Sequence, residues 1–228
     1  ESIGLLLNLT KVVISADAFQ KDPYQDFPEY FYGSNKTSDL SGTLPASLAK
    51  LSHLHFLEVY STRISGTIPS LLTTRPPPWL TVLVLAFNEL SGTIPDNIDA
   101  LSNIGYLDLQ NNKLSGTLPV ALRKLTNLME LILSSNQLSG TIPSLQLSGP
   151  RPILWLSNNS FTAVDSSYCP RFLYGPGSTQ PQLAYCNLGN NAISGDPDGL
   201  NTCPDCLNEG PCNVKEAPID GVAVFGPI

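Results

Sequence analysis

Charge is scarce in this chain. Only 14% of its 228 residues are Asp, Glu, Lys or Arg, and the balance is acidic, at a formal -7. Its twelve Lys and Arg are scattered. They form no basic stripe for nucleic-acid phosphates and no polybasic contact for an anionic membrane. Long apolar runs are missing too. IGLLL and TVLVLAF fall far short of the ~20 residues a spanning helix needs, so membrane insertion is not expected. Histidine is reduced to His53 and His55, with no convincing Ser, Cys or carboxylate constellation beside them. The Asp196 and Asp198 pair lies in a Gly/Pro-rich stretch that reads as a loop, so no catalytic residue is expected and the chain reads as no enzyme. Cysteine is absent until the last quarter, where Cys169, Cys186, Cys203, Cys206 and Cys212 gather. The spacing of the last three suggests zinc, but no His or fourth Cys lies near, so disulfides are expected and no metal or other cofactor. Glu1 opens the chain without an initiator Met or a leader, which reads as a processed product or a fragment.

What the sequence has in abundance is itself. LSGTLP at 40–45 returns as ISGTIP at 64–69, LSGTIP at 90–95, LSGTLP at 114–119 and LSGTIP at 138–143. The intervals are 24, 26, 24 and 24 residues, a period that signals stacked repeats. Around each hexapeptide the unit extends. Residues 101–119 read LSNIGYLDLQNNKLSGTLP, and Leu125, Leu128, Leu131, Leu133, Asn136 and Leu138 repeat the frame. In an earlier unit Thr62 replaces the Asn. Degenerate units follow at Leu154–Phe161 and Cys186–Ile193, and another opens the chain at Leu6–Phe19. An L-x-L pair is a short strand with both leucines on one face. A lone strand cannot bury that face, so about seven turns must stack as parallel strands over one continuous core.

This pattern resembles the plant-type leucine-rich repeat, with its LxxLxxLxLxxNxLSGxIP signature, over roughly residues 1–197. The resemblance implies an α/β solenoid: a horseshoe with a parallel concave β-sheet, short second strands, and 3-10 or irregular convex segments. The frame is interrupted near 20–39, which is rich in Tyr and Phe, and near 162–183. RPPP at 75–78 reads as a rigid outer bulge. Residues 198–212 read as a disulfide-stapled cap and 213–228 as a tail.

The frame assigns the concave face to Phe56, Glu58, Tyr60, Val82, Val84, Phe87, Tyr106, Asp108, Gln110, Glu130, Ile132, Ser134, Ile153, Trp155, Ser157, Tyr185 and Asn187. That aromatic and acidic stripe, with no Lys or Arg, reads either as a binding surface or as ordinary strand preference. Thr43, Thr67, Thr93, Thr117 and Thr141 should stack into a hydroxyl ladder beside a matching rank of serines. Such a grid suits ordered water or ice, or O-linked sugars, or no ligand at all. Sequons at Asn8, Asn35 and Asn158 call for N-linked glycans. Together with the clustered cysteines they point to a secreted, cell-surface or matrix glycoprotein. The expected partners are a protein, including other copies of the chain, or a glycan. Val222, Val224 and Phe225 in the tail suit strand addition to a neighbouring copy and head-to-tail assembly. The expected role is a structural subunit of this kind, with ligand recognition or ice binding as alternatives.

Overall fold

The computed structural model describes residues 9–15, 39–145, 147–149, 152–165, 185–193 and 212–213. Two parallel sheets run the length of the solenoid. The first has eight strands: β1 (Lys11–Ser15), β3 (Phe56–Tyr60), β5 (Val82–Val84), β7 (Tyr106–Asp108), β9 (Glu130–Ile132), β11 (Ile153–Trp155), β13 (Tyr185–Asn187) and β14 (Cys212–Asn213). The second has six: β2 (Ser41–Thr43), β4 (Arg63–Gly66), β6 (Glu89–Gly92), β8 (Lys113–Thr117), β10 (Gln137–Ile142) and β12 (Ser160–Val164). Each sheet is ordered by turn number, and every described pairing is parallel.

The leucine frame explains both sheets. Leu57, Leu83, Leu107, Leu131 and Leu154 are register partners and lie in the core with almost no solvent exposure. The second sheet contributes Ile64, Leu90, Leu114, Leu138 and Phe161 to the same core. The proline that ends the hexapeptide redirects the chain. Pro45 and Pro119 hold extended backbone, at φ -73 and -61, just before 3-10 turns at Ala46–Lys50 and Val120–Lys124. A proline's fixed φ suits such a helix entry. A third 3-10 turn (Ile98–Ala100) and a short helix, α1 (Leu71–Thr74), fill equivalent places. Leu48, Leu72, Ile98 and Leu122 drop from these segments into the core.

Asparagine stitches the turns together. Asn112 Nδ2 donates to the carbonyls of Leu109 in its own turn (3.1 Å) and Leu85 in the preceding one (2.8 Å), while its Oδ1 accepts from Leu90 N–H (2.9 Å). Asn136, Asn159 and Asn191 repeat this pattern. Where Thr62 replaces Asn, its hydroxyl bonds to Asn88 Oδ1 and accepts from Ile64 N–H. Glycine closes the bend. Gly66, Gly92, Gly116 and Gly140 hold φ between 79 and 81, and a Cβ on each would come within 2.9–3.1 Å of the preceding turn's Thr methyl. Both the conformation and the space require Gly there.

Candidate functional site on the concave sheet

The residues between the core leucines form three rows on the opposite face of the first sheet. Register places Phe56, Val82, Tyr106, Glu130, Ile153 and Tyr185 in one row. Glu58, Val84, Asp108, Ile132, Trp155 and Asn187 form the next. Tyr60, Ala86, Gln110, Ser134 and Ser157 continue toward the rim. The frame picked Phe87 for this face. In the structure Ala86 takes the row position, and Phe87 follows it with a left-handed backbone at φ 55.

This face carries an apolar cluster separate from the core. Tyr60, Val84, Ala86, Tyr106 and Ile132 pack together, with Val82, Phe87 and Trp155 against them. Several residues of the stripe are closed off from solvent. Glu58, Val84 and Asp108 are 0% exposed and Tyr60 is 2% exposed. Exposure returns at the edges, at Val13 in β1 and at Phe56.

Two carboxylates are buried in it. Lys11 Nζ lies 2.9 Å from Glu58 Oε1, as an ion contact rather than an aligned hydrogen bond, and 5.5 Å from the centre of the Phe56 ring. Asp108 accepts from Gln110 through N–H (3.0 Å) and Nε2 (3.1 Å). Buried carboxylates are costly unless donors satisfy them. Tyr60, Phe87, Tyr106, Asp108 and Glu130 each make contacts beyond those named. Lys11 was missed in the sequence because it belongs to the degenerate first turn; its position opposite Phe56 is a property of strand pairing.

The second sheet presents a different surface. Thr43, Thr67, Thr93, Thr117 and Thr141 are all exposed. The serine hydroxyls beside them are spent on the preceding turn: Ser65 donates to Gly42 O (3.1 Å), and Ser91, Ser115 and Ser139 bond likewise at 3.4 Å. Alongside runs an ion-pair column in which Glu89 meets Lys113 at 2.8 Å and Arg63 at 3.7 Å. The hydrogen bond and charge of Lys113 hold the Glu89 carboxyl below its ordinary range, with Arg63 assisting.

Asn158 is exposed beyond β11, its Oδ1 accepting from Asn190 Nδ2 (2.7 Å). Asn8, Asn35, Cys169, Cys203, Cys206, Val222, Val224 and Phe225 lie outside the described residues. Cys186 and Cys212 are backbone register partners in β13 and β14. His53 is exposed, and His55 stacks on Trp79 at 6.2 Å. Among the described residues no group of His, Cys, Asp or Glu could hold a metal. No described helix is long and apolar enough to cross a membrane.

Comparison with known proteins places this geometry. A leucine-rich-repeat family model matches residues 78–138. The plant peptide hormone receptor RGFR1, solved with RGF2, superimposes at TM-score 0.64 and 27% identity, over 83% of this chain and 26% of the receptor chain. The Arabidopsis HAESA ectodomain, solved with an N-terminally extended IDA peptide hormone ligand, gives 0.56 and 31% over 70% of this chain and 29% of its own. The chain belongs to the plant-type leucine-rich repeat proteins. A TDR receptor structure gives 0.55 and 32%, covering 67% and 25%. This leucine-rich repeat chain thus spans about a quarter of each of those three receptor chains. No curated protein sequence matches it.

Proposed function

We propose that this chain is a non-catalytic recognition module that captures an extended polypeptide on its concave sheet, outside the cell. The observation that carries this reading is the second apolar cluster, set beside the buried carboxylates of Glu58 and Asp108 on a sheet face. No described strand or helix covers that face. Such a surface suits a peptide offering apolar side chains to the half-buried Val82, Phe87 and Trp155 and a cation to the half-buried Glu130. The similarity to receptor ectodomains solved with peptide hormones supports the same class of ligand and an extracellular setting. A glycan on Asn158 fits that setting and would border the C-terminal half of the site.

A random peptide display library tests it, panned on the chain itself. Enriched peptides should lose binding to a Tyr106→Ala, Trp155→Ala double variant and keep it with Val120→Ser, which alters an exposed convex residue. Peptides that ignore the double variant would dismiss the site.

Two other readings keep their own tests. Head-to-tail assembly through Val222, Val224 and Phe225 requires that deleting residues 216–228 lowers the mass seen by light scattering. An ice-facing role for the threonine ladder is favoured by its uniform exposure. It requires thermal hysteresis that a Thr67/Thr93/Thr117→Lys variant loses.

A further inference from the structure

We propose that the exposed Trp79, with the basic residues Lys50 and Arg75, forms a ledge that binds an acidic polysaccharide built of uronate sugars. The ledge lies at the N-terminal ends of the concave strands, beside the peptide surface rather than on it.

The repeat frame supplies the first observation. Asn103 in the fourth turn and Asn127 in the fifth stand just before the core residues Ile104 and Leu128. Each donates from Nδ2 to a carbonyl of the preceding turn, Asn103 to Pro78 O (2.8 Å) and Asn127 to Ser102 O (2.9 Å). In the third turn Trp79 takes that position, before Leu80. The indole replaces the stitch with an apolar ring that is 56% exposed. Neither the core nor the ladder accounts for it, and an exposed indole is the kind of group that anchors a partner.

The backbone fixes the ring before any ligand arrives. Leu80 N–H closes the proline turn onto Pro77 O (3.1 Å), and Asn103 clamps Pro78 O. Three successive prolines restrict this turn further, so little freedom is lost on binding. His55 stacks on Trp79 with ring centres 6.2 Å apart and planes 17° from parallel. Phe56 tilts against His55 at 6.3 Å, and Lys11 Nζ, 5.5 Å from the Phe56 ring centre, ends the row.

Charge then selects the ligand. The chain is acidic at -7, yet between residues 40 and 88 its one carboxylate is Glu58, buried against Lys11. Lys50 and Arg75, one in each turn of the ledge, are exposed and form no ion pair among the described residues. In the next turn Asp99 takes the frame position of Arg75, but Lys124 holds it at 2.8 Å. A positive patch on an acidic protein attracts anions. An extended peptide finds no backbone partner here, because His55 N–H is bonded to Thr10 O and His55 O accepts from Thr81 and Val82. What the ledge offers is a flat ring face with donors beside it. A pyranose can lay its apolar C–H face on the indole and turn its hydroxyls outward. One cation per turn matches one carboxylate per uronate ring, and the Arg75 fork suits a carboxylate.

Mannuronate hexamers derived from alginate serve as the probe, followed on the full chain by isothermal titration and indole fluorescence. A Trp155→Phe background leaves Trp79 as the sole indole, and binding should shift its emission to the blue. Trp79→Asn installs the residue of the next two turns, so the fold should be kept while affinity falls about tenfold. Arg75→Gln should weaken binding several-fold, and added salt should weaken it without abolishing it. The blue shift and the Arg75→Gln effect decide the matter even if Trp79→Asn does not fold. Neutral dextran oligomers should bind several-fold more weakly than the hexamer. No binding of the hexamer, unchanged binding in a folded Trp79→Asn variant, or equal binding of dextran would overturn the proposal. So would capture of poly-glutamate as tight as that of the hexamer, which would assign the patch to acidic peptides instead.

Discussion

Phe87 adopts a left-handed backbone that Asn111, Asn158 and Asn190 adopt at the same place in other turns. Asparagine tolerates that region, whereas a residue with a bulky side chain pays roughly 1–2 kcal/mol for it. The phenyl ring recovers part of that cost by packing on the concave cluster. Phe87→Asn should therefore shift stability by less than ~1 kcal/mol in chemical denaturation, relief and lost burial nearly cancelling, while peptide capture falls several-fold. A loss above ~3 kcal/mol would mark the ring as part of the fold instead. Glu89 makes a second residue-scale prediction. Its carboxyl is held low in the folded state by Lys113. Its contribution is thus present above the ordinary carboxylate pKa and is lost as pH falls through the lower, folded value. In Lys113→Met the Glu89 midpoint, followed by NMR, should climb; an unmoved midpoint would assign the effect to another group.

At the scale of one turn, the asparagine and the glycine do separate jobs that mutation can separate. Asn112→Ala leaves Leu90 N–H without its side-chain acceptor, whereas the Leu85 and Leu109 carbonyls keep donors from Asn88 and Asn136. The expected loss is about 1–3 kcal/mol in chemical denaturation. Gly116→Ala meets two obstacles, the left-handed φ of 80 and the Thr93 methyl 2.9 Å from the new Cβ. Adding Thr93→Ser removes the second only, so the double variant should recover part of the loss, and full recovery would show that φ costs nothing. Both devices were legible in advance, because Asn, Gly and the leucine spacing recur in register. The dryness of the concave face was not legible. Burial of Glu58 or Tyr60 depends on what lies over the sheet, and no residue in the repeat encodes that. The frame also stepped past Ala86 to Phe87, because a short apolar run does not announce where strand ends and bend begins.

Across the whole molecule, each turn contacts its neighbours, and stability is close to a sum of turns and interfaces. The weak points are then the ends. At the C-terminal end Cys186 takes the register position of Leu154, and Cys212 takes it again in the next strand. Adjacent strands lie roughly 4.8 Å apart, inside the roughly 4.4–6.8 Å window between bridged Cα atoms. A Cys186–Cys212 bridge is expected, closing the last turn and stabilising it by about 2–4 kcal/mol. Peptide mapping without reductant checks it, and a Cys186 linked to Cys169 would dismiss it.

The asparagine ladder also makes chain length an editable quantity. Every rung receives its bonds from the neighbouring turns in one repeated geometry, so a rung need not know its ordinal position. A tandem copy of residues 101–124 should splice in as one more turn, adding a strand to each sheet while leaving both flanks in register. Turns of unequal length already stack: Leu131 and Leu154, 23 residues apart, and Leu57 and Leu83, 26 apart, are register partners in the same core, the loops between strands absorbing the difference. Deletion and duplication of whole turns are thus near-neutral moves for this architecture, and a lineage of such chains can vary its reach without redesigning its core.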